Sequence, residues 1–449
     1  MASGGSPVSQ TRVLLGLVLG AALGSAANVL VGDGYYPQAK PALDWVVKFV
    51  AGPVGQIFLN LLFLAIVPLV FASLAVGVTR LGGTADLGRV GLRTLTNFVI
   101  TTLFAAVIGL ALVNLIQPGK RLAEDQRAKL VENYPRNADA ASAKTAGFGI
   151  DTVVGFVPRN PFKAVVEYDM IPIIVTALLV GVGLTRIDPD KAAVLADVLE
   201  AINQVTGFVI RLAMAMAPYA VFALIFHTTA EFGYQLLIAL GAFVATVLSG
   251  LALHQFVVLP VIVIVLCRKN PVWFFQQVWV VMVTAFSTSS SSATLPATMR
   301  CAEESMGVPP KISRFVLPLG ASMNHNGTAL FEAVTVLFLA QLFNFDLSLS
   351  QQVVVIVLCI LTATGMAGVP GGSLPVIGII LTTATDGQVP AGAIAIVFGV
   401  DRILDMCRTT VNVTADMTTV LYVARREAET TTPGTPGHPP SPVGPLKPL

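Results

Sequence analysis

The chain has 449 residues, 55% of them hydrophobic and only 12% charged, with a formal net charge of +2 and a mean hydropathy of +0.79. That charged share is about half of what soluble domains carry, so the chain falls outside the soluble globular class. The small net charge leaves no basis for nucleic-acid binding.

After a short N-terminal stretch, residues 1–10, which reads as disordered, apolar runs recur at 13–31, 58–78, 98–115, 171–184 and 236–266. A helix needs about 20 such residues to cross the hydrocarbon layer, so the expected fold class is an all-α polytopic membrane protein. The first run is longer than a signal h-region and has no convincing cleavage site, so it reads as a retained span. Basic residues mark alternate connections: Arg12, then Arg80, Arg89 and Arg93, then Arg186 and Lys191, then Arg268 and Lys269, then Arg425 and Arg426. Loops near 230, 346 and 387 lack them, which predicts both termini on the cytoplasmic side of the cell (inner) membrane. The segment 119–150 mixes acids and bases and is expected as a long polar loop outside. Residues 427–449 are Pro-rich and expected to be disordered. Cys267, Cys301, Cys359 and Cys407 lie in or beside apolar segments without metal spacing and read as reduced packing residues.

Further along, hydropathy and helix continuity conflict. "VWVVMVTAFSTSSSSATLPATM" is apolar on both sides of a Ser run and a Pro; "VVVIVLCILTATGMAGVPGGSLPVIGIILTTA" is apolar on both sides of a Gly/Pro cluster. Irregular backbone at membrane depth survives only when buried in protein or lining a wet cavity, so each segment reads as two half-helices meeting at a tip, a re-entrant hairpin. The tips "SATLP" and "GGSLP" resemble each other, and each hairpin precedes a helix with an interior Asn, Asn324 or Asn412. Such pairing points to an inverted-repeat transporter with its site near mid-membrane.

Between the hairpins, "NHNGT" places two amides, an imidazole and a Gly inside an apolar helix. Local unwinding there would free carbonyls that, with Asn oxygens and a carboxylate, are hard ligands for a small cation. Asn324 and Asn326 could instead hydrogen-bond between helices. His254 reads as a packed residue on an apolar helix, whereas His325 sits among the polar residues of the break. Ser289–Ser292 could be tip residues, or could offer backbone N–H groups to an anion at a half-helix start.

The last apolar region carries "VDRILDMCRTTVNVTAD". At about 100° per residue, Asp401, Asp405, Arg408, Thr409, Asn412 and Asp416 share one stripe, and charge inside a span marks a functional site by default. Arg408 could neutralise Asp401 or Asp405 within the helix, or offer a planar fork to a ligand carboxylate. Arg402 is one step from Asp401 and is expected off the stripe, so the surplus of carboxylates favours ligand and cation binding. Asp405 has the charge to pair with an ammonium group.

The tip "SSSSATLP", "PLGA…N…GTAL", "AGVPGG" and "DRILDMCRTTVNVTAD" occur together and in order, and through them the chain resembles the glutamate transporter family, the dicarboxylate/amino acid:cation symporters, over about residues 11–426. The resemblance implies eight transmembrane helices plus two re-entrant helical hairpins in a homotrimer within the lipid bilayer. It also implies a scaffold (about 11–80 and 160–228) and a transport unit (about 86–117 and 234–426) that moves like an elevator. Carried over residue by residue, Arg408 would hold the substrate's side-chain carboxylate and Asp405 its amino group. Thr409, Asn412, Thr328 and Ser373 would complete the pocket, and the backbone of Ser291 and Val369 would close it. One sodium would use Gly320, Asn324, Asn412 and Asp416; a second, Ser322 with Ala363, Thr364 and Met366; a third, Thr101, Thr102 and Asn326. Arg408, Asp405 and Asp416 together imply sodium-coupled symport of aspartate or glutamate, with no organic cofactor, no enzymatic activity and no nucleic-acid partner.

The chain departs from the family's "NMDGT", which is "NHNGT" here, and has Phe98 where a tyrosine is common and Ala415 where a Gly is usual. The first two bear on ion binding and put the third sodium in doubt. The rival readings are a proton-coupled dicarboxylate or neutral amino acid carrier of the same family, an ion channel, and an intramembrane protease built on "GGSL". The flanking Pro370 and Pro375 and the carboxylate surplus speak against the last.

Overall fold

A computed structural model describes residues 10–32, 35–81, 85–133, 157–166, 170–365 and 371–431, and every regular element among them is helical. Of the segments expected to be disordered, 1–10 and 427–449, residues 1–9 and 432–449 lie outside the described residues, as do most of the polar loop and the positions of Met366 and Val369; Gln10 already belongs to the first helix.

The long helices follow the apolar runs. α1 (Gln10–Ala27) is followed by α2 (Gly52–Leu81), α3 (Ala85–Ile116), α4 (Met170–Leu184), α5 (Pro189–Phe232) and α6 (Tyr234–Leu253). A π-turn at His254–Val258 carries α6 on into a short helix, Leu259–Val265. Among the described residues, five stretches are long and apolar enough to cross a membrane, Thr11–Val31, Pro37–Thr79, Arg89–Arg121, Pro189–Phe232 and Tyr234–Val265, with shorter apolar helices at Pro172–Leu184 and Leu349–Ala363. Starts coincide with caps legible in the sequence. Asp188 accepts from the Asp190 and Lys191 N–H groups (3.0 and 3.4 Å) ahead of Pro189. Ser348 and Gln351 form a reciprocal capping box.

Each interrupted segment is a pair of helices. α7 (Pro271–Thr288) and α8 (Ser291–Arg300) are separated by Ser289 in the left-handed region (φ 50°) and by the N-cap Ser290. α11 (Leu349–Ala363) and α12 (Ser373–Ala384) are separated by the Gly-rich tip, where Gly371 takes φ +76°. The "NHNGT" segment also breaks as expected: α9 (Pro310–Met323) ends, Asn324 and His325 leave helical geometry (ψ 79° and 58°), and α10 (Asn326–Leu342) begins. α13 (Ala395–Thr431) completes the chain.

Two packing groups result. α1 and α2 lie along α5, and α4 lies along α2; α3, α6 and α7–α12 gather around α10 and α13. α1 approaches α5 so closely that a Cβ at Gly20 or Gly24 would run into the carbonyls of Phe222 and Phe226, the small-residue contact that membrane helices favour. The groups meet where α13 touches α1 and α5, and where α9 and α12 touch α2. α10 is buried along its whole length, its polar Thr328, Glu332 and Gln341 included.

Two boundaries differ from expectation. α13 runs past residue 426 to Thr431 because Glu427 is held by Arg89 and Arg93 at the start of α3 (2.9 and 2.6 Å). The polar segment after α3 contains a helix at Glu124–Asn133.

Candidate substrate and cation sites

The stripe on α13 is buried throughout: Asp401, Asp405, Arg408, Thr409, Asn412 and Asp416 all lie inside the protein, and Arg408 is only 1% exposed. Its Nη1 donates to Asp401 Oδ1 (2.8 Å) and its Nη2 to Asp405 Oδ1 (2.7 Å). The guanidinium lies over the Phe331 ring of α10, 3.9 Å from its centroid, a stacking that favours Arg over Lys. The intrahelical pairing that the sequence left open is therefore formed. Arg402 is not off the stripe either: its long stem brings Nη1 to 3.7 Å from Asp405 Oδ2. Two arginines thus face Asp401 and Asp405, and the carboxylate surplus shifts to Asp416. Arg408 Nε remains buried without a hydrogen-bond partner.

The start of α10 is moulded onto this stripe. A Cβ at Gly327 would meet the Arg408 backbone, so only a glycine lets the two helices approach there. Asn412 Oδ1 accepts from the Gly327 and Thr328 N–H groups (2.7 and 3.4 Å), and its Nδ2 donates to Thr328 Oγ1 (3.1 Å). The orphan N–H groups of the α10 start are thereby satisfied, and Thr409 Oγ1 donates to the Asp405 carbonyl (2.8 Å). Arg408 and Thr409 are tied to Asp405, and Asn412 with Thr328 forms a second group further along the same stripe. Ser291 is buried at the first turn of α8, which packs on α13; Ser373 is buried at the first turn of α12, and its hydroxyl has no partner among the described residues. Neither makes a hydrogen bond to either group among the described residues.

Of the first cation set, Asp416, Asn324 and Gly320 come together, while the Asn412 side chain is engaged with Gly327 and Thr328 instead. Asn324 Nδ2 donates to Asp416 Oδ1 (2.8 Å), Asn324 Oδ1 is buried with no partner, and the Asp416 carboxylate lies against Gly320 where a side chain would otherwise stand. An orphaned amide oxygen beside a carboxylate with no cation of its own is a donor set that suits a small hard cation. The set built on Ser322, Ala363 and Thr364 does not close in the same way. Ser322 Oγ donates to the Pro318 carbonyl (3.1 Å), and the Ala363 carbonyl is taken by His325 Nδ1 (2.8 Å). The third set is brought together and is satisfied internally: Asn326 Oδ1 accepts from Thr102 and Thr101 (2.7 and 3.4 Å). His254, expected as packing alone, is wholly buried at the α6 π-turn, with Nε2 3.4 Å from Asn326 Nδ2.

One polar residue of this region escaped the sequence reading. Glu332, on α10, is fully buried; its Oε2 accepts from Thr362 Oγ1 (2.9 Å) and its Oε1 has no partner. A lone acid in "TALFEAVTV" was the available signal, by the same rule that singled out Asp405.

Residues 10–426 match the sodium:dicarboxylate symporter family. The chain is 33% identical to the proton/glutamate-aspartate symporter of Escherichia coli (strain K12) over 93% of this chain and 92% of that protein. It is 34% identical to the proton/sodium-glutamate symport protein of Bacillus subtilis (strain 168), over 93% of this chain and 92% of that one. It is 33% identical to the excitatory amino acid transporter 3 of Bos taurus, over 90% of this chain and 83% of that one. With a family match that spans nearly its whole length, and with the buried Arg–Asp stripe and broken helices on which the resemblance rested, the chain belongs to the sodium:dicarboxylate symporter family.

Proposed function

We propose that the protein is a secondary active transporter that carries aspartate or glutamate across the cell membrane together with sodium. The observation that carries this reading is Arg408: a guanidinium wholly enclosed in protein, with Asp405 as its neighbour and Nε unpaired. A dicarboxylic amino acid supplies both partners that this pair can exchange for: a carboxylate for Arg408 and an ammonium for Asp405. Thr328, Thr409 and Asn412 line the pocket, the tips bearing Ser291 and Ser373 cover it, and sodium sits beside Gly320 between the Asp416 carboxylate and the unpaired Asn324 Oδ1.

The two helix groups support an elevator-like movement of a transport unit (about 86–117 and 234–426) against a scaffold (about 11–80 and 160–228) within a homotrimer. The helix–break–helix pairs α7–α8 and α11–α12 support two re-entrant hairpins among eight spans, with both termini in the cytoplasm. Uptake of labelled aspartate into proteoliposomes under a sodium gradient, a proton gradient or neither tests the function; accumulation only with the sodium gradient is expected. A proton as driving ion is the second reading, favoured by Glu332, a buried carboxyl with one oxygen unpartnered, and accumulation driven by the proton gradient alone would establish it.

Two substitutions refine the assignment. Asp405→Ser removes the ammonium partner, so aspartate should lose affinity far more than succinate, by the order of 2–5 kcal/mol that a truncated buried charge pair costs. Competition of each ligand against labelled substrate measures it; equal losses would assign Asp405 to structure or to an ion. Asn326→Asp adds a full charge where the two threonine hydroxyls already converge, and it should raise the number of sodium ions moved per substrate. If the substitution leaves that number unchanged, the third donor set does not bind sodium at all or binds it already.

A further inference from the structure

His325 reaches the helix end at which the family resemblance would place a second sodium. It is the residue before α10, and its side chain does not cap that helix. The ring instead crosses to the end of α11, where Nδ1 lies 2.8 Å from the Ala363 carbonyl oxygen, and it is buried to within 3% of full enclosure. A carbonyl can only accept, so Nδ1 carries the proton and donates. The last carbonyls of a helix have no intrahelical partner and gather the negative end of its dipole. They therefore take either a cation or a donor N–H. Here the N–H has that place. The carbonyl keeps a second lone pair, but the ring is packed against this oxygen, and the positive end of the N–H repels a cation on the same atom. The other described side chain of that donor set, Ser322, is turned back to the Pro318 carbonyl of its own helix.

We propose that the His325 imidazole N–H substitutes for the second sodium at the end of α11, so that His325 sets the number of sodium ions coupled to each substrate. The family pattern quoted above has methionine at this position, a side chain with no N–H to give. With His325 in place, the sodium site that remains open among the described residues is the Asp416 carboxylate with the unpaired Asn324 Oδ1, while the helix end that a second ion would hold is kept in shape by a group the protein carries itself. This inference rests on the sodium-coupled reading and narrows it.

The test is the sodium count per substrate in proteoliposomes, taken as the slope of the logarithm of the aspartate gradient at zero net flux against the logarithm of the sodium gradient. Membrane potential is held at zero with equal potassium and valinomycin. The wild type should give a slope of about one, and His325→Met a slope of about two, with a steeper sodium dependence of uptake. His325→Leu, which also lacks the N–H, serves if the Met variant does not reconstitute. A wild-type slope of two or more overturns the proposal and leaves sodium coupling standing, as does an active variant whose slope stays at one. Wild-type uptake indifferent to sodium overturns the sodium-coupled reading and this inference with it.

Discussion

Arg408→Cys is expected to abolish aspartate uptake. The guanidinium is enclosed by α10 and its own helix, bonded to Asp401 and Asp405 and stacked on Phe331. A substrate carboxylate entering the variant would be buried without a partner. Truncating one member of a buried, hydrogen-bonded charge pair costs about 2–5 kcal/mol, which is roughly 30-fold to several thousandfold in affinity. The substitution also leaves Asp401 and Asp405 facing one another with only Arg402, at 3.7 Å from Asp405, so the pocket turns net negative and repels an acidic ligand further. A small neutral amino acid keeps its ammonium contact with Asp405 and should then compete better than aspartate. Binding of both ligands to purified variant measures the switch. Unchanged aspartate affinity would remove Arg408 from the substrate site.

Much of the helix plan was legible because the physical signals are local. Apolar runs of spanning length gave the long helices. The Gly, Ser and Pro clusters gave the breaks at Ser289–Ser290 and around Gly371. The end of α13 was not legible, since nothing in the local sequence says that Glu427 will find Arg89 and Arg93 from a helix more than 300 residues earlier in the chain. Helical periodicity likewise placed Arg402 off the polar stripe. It fixes where a Cα sits but not where a side chain of Arg length ends, and the guanidinium reaches back to Asp405.

The site divides along the same line. Residues on one helix could be grouped by angle, and the Arg408 and Asp405 pairing follows from that. Contacts between helices could not be derived by counting. The groupings of Asn412 with Thr328, of Asn324 with Asp416 and of the two threonines with Asn326 became expectations only through the family resemblance. Where the resemblance itself fails, at "NHNGT", the structure supplies what neither source held. His325 faces the end of α11, and His254 faces Asn326. One short departure therefore touches two donor sets at once.

Asp416→Asn should remove sodium dependence more completely than any other change at the cation sites. Asp401 and Asp405 have arginines to face, but among the described residues the hydrogen-bond donor recorded for Asp416 is the Asn324 amide, which donates to Oδ1. The asparagine variant can keep that one bond with its own amide oxygen, so the local geometry survives while the charge is lost and an NH2 group turns toward the place of the cation. Removing a unit charge about 4 Å from a monovalent ion, at an effective dielectric of about 20, costs on the order of 4 kcal/mol. Sodium affinity should then fall about a thousandfold, enough to empty the site at ordinary concentrations. Gly320→Ala acts on the same atoms from the other side: its Cβ would press on the carboxylate and displace the charge without removing it, so a smaller loss is expected. Sodium-dependent binding of aspartate to the purified protein separates the two variants from wild type without requiring transport. An Asp416→Asn protein that binds aspartate with unaltered sodium dependence would place the coupled cation elsewhere and leave Glu332 as the remaining buried acid able to carry one.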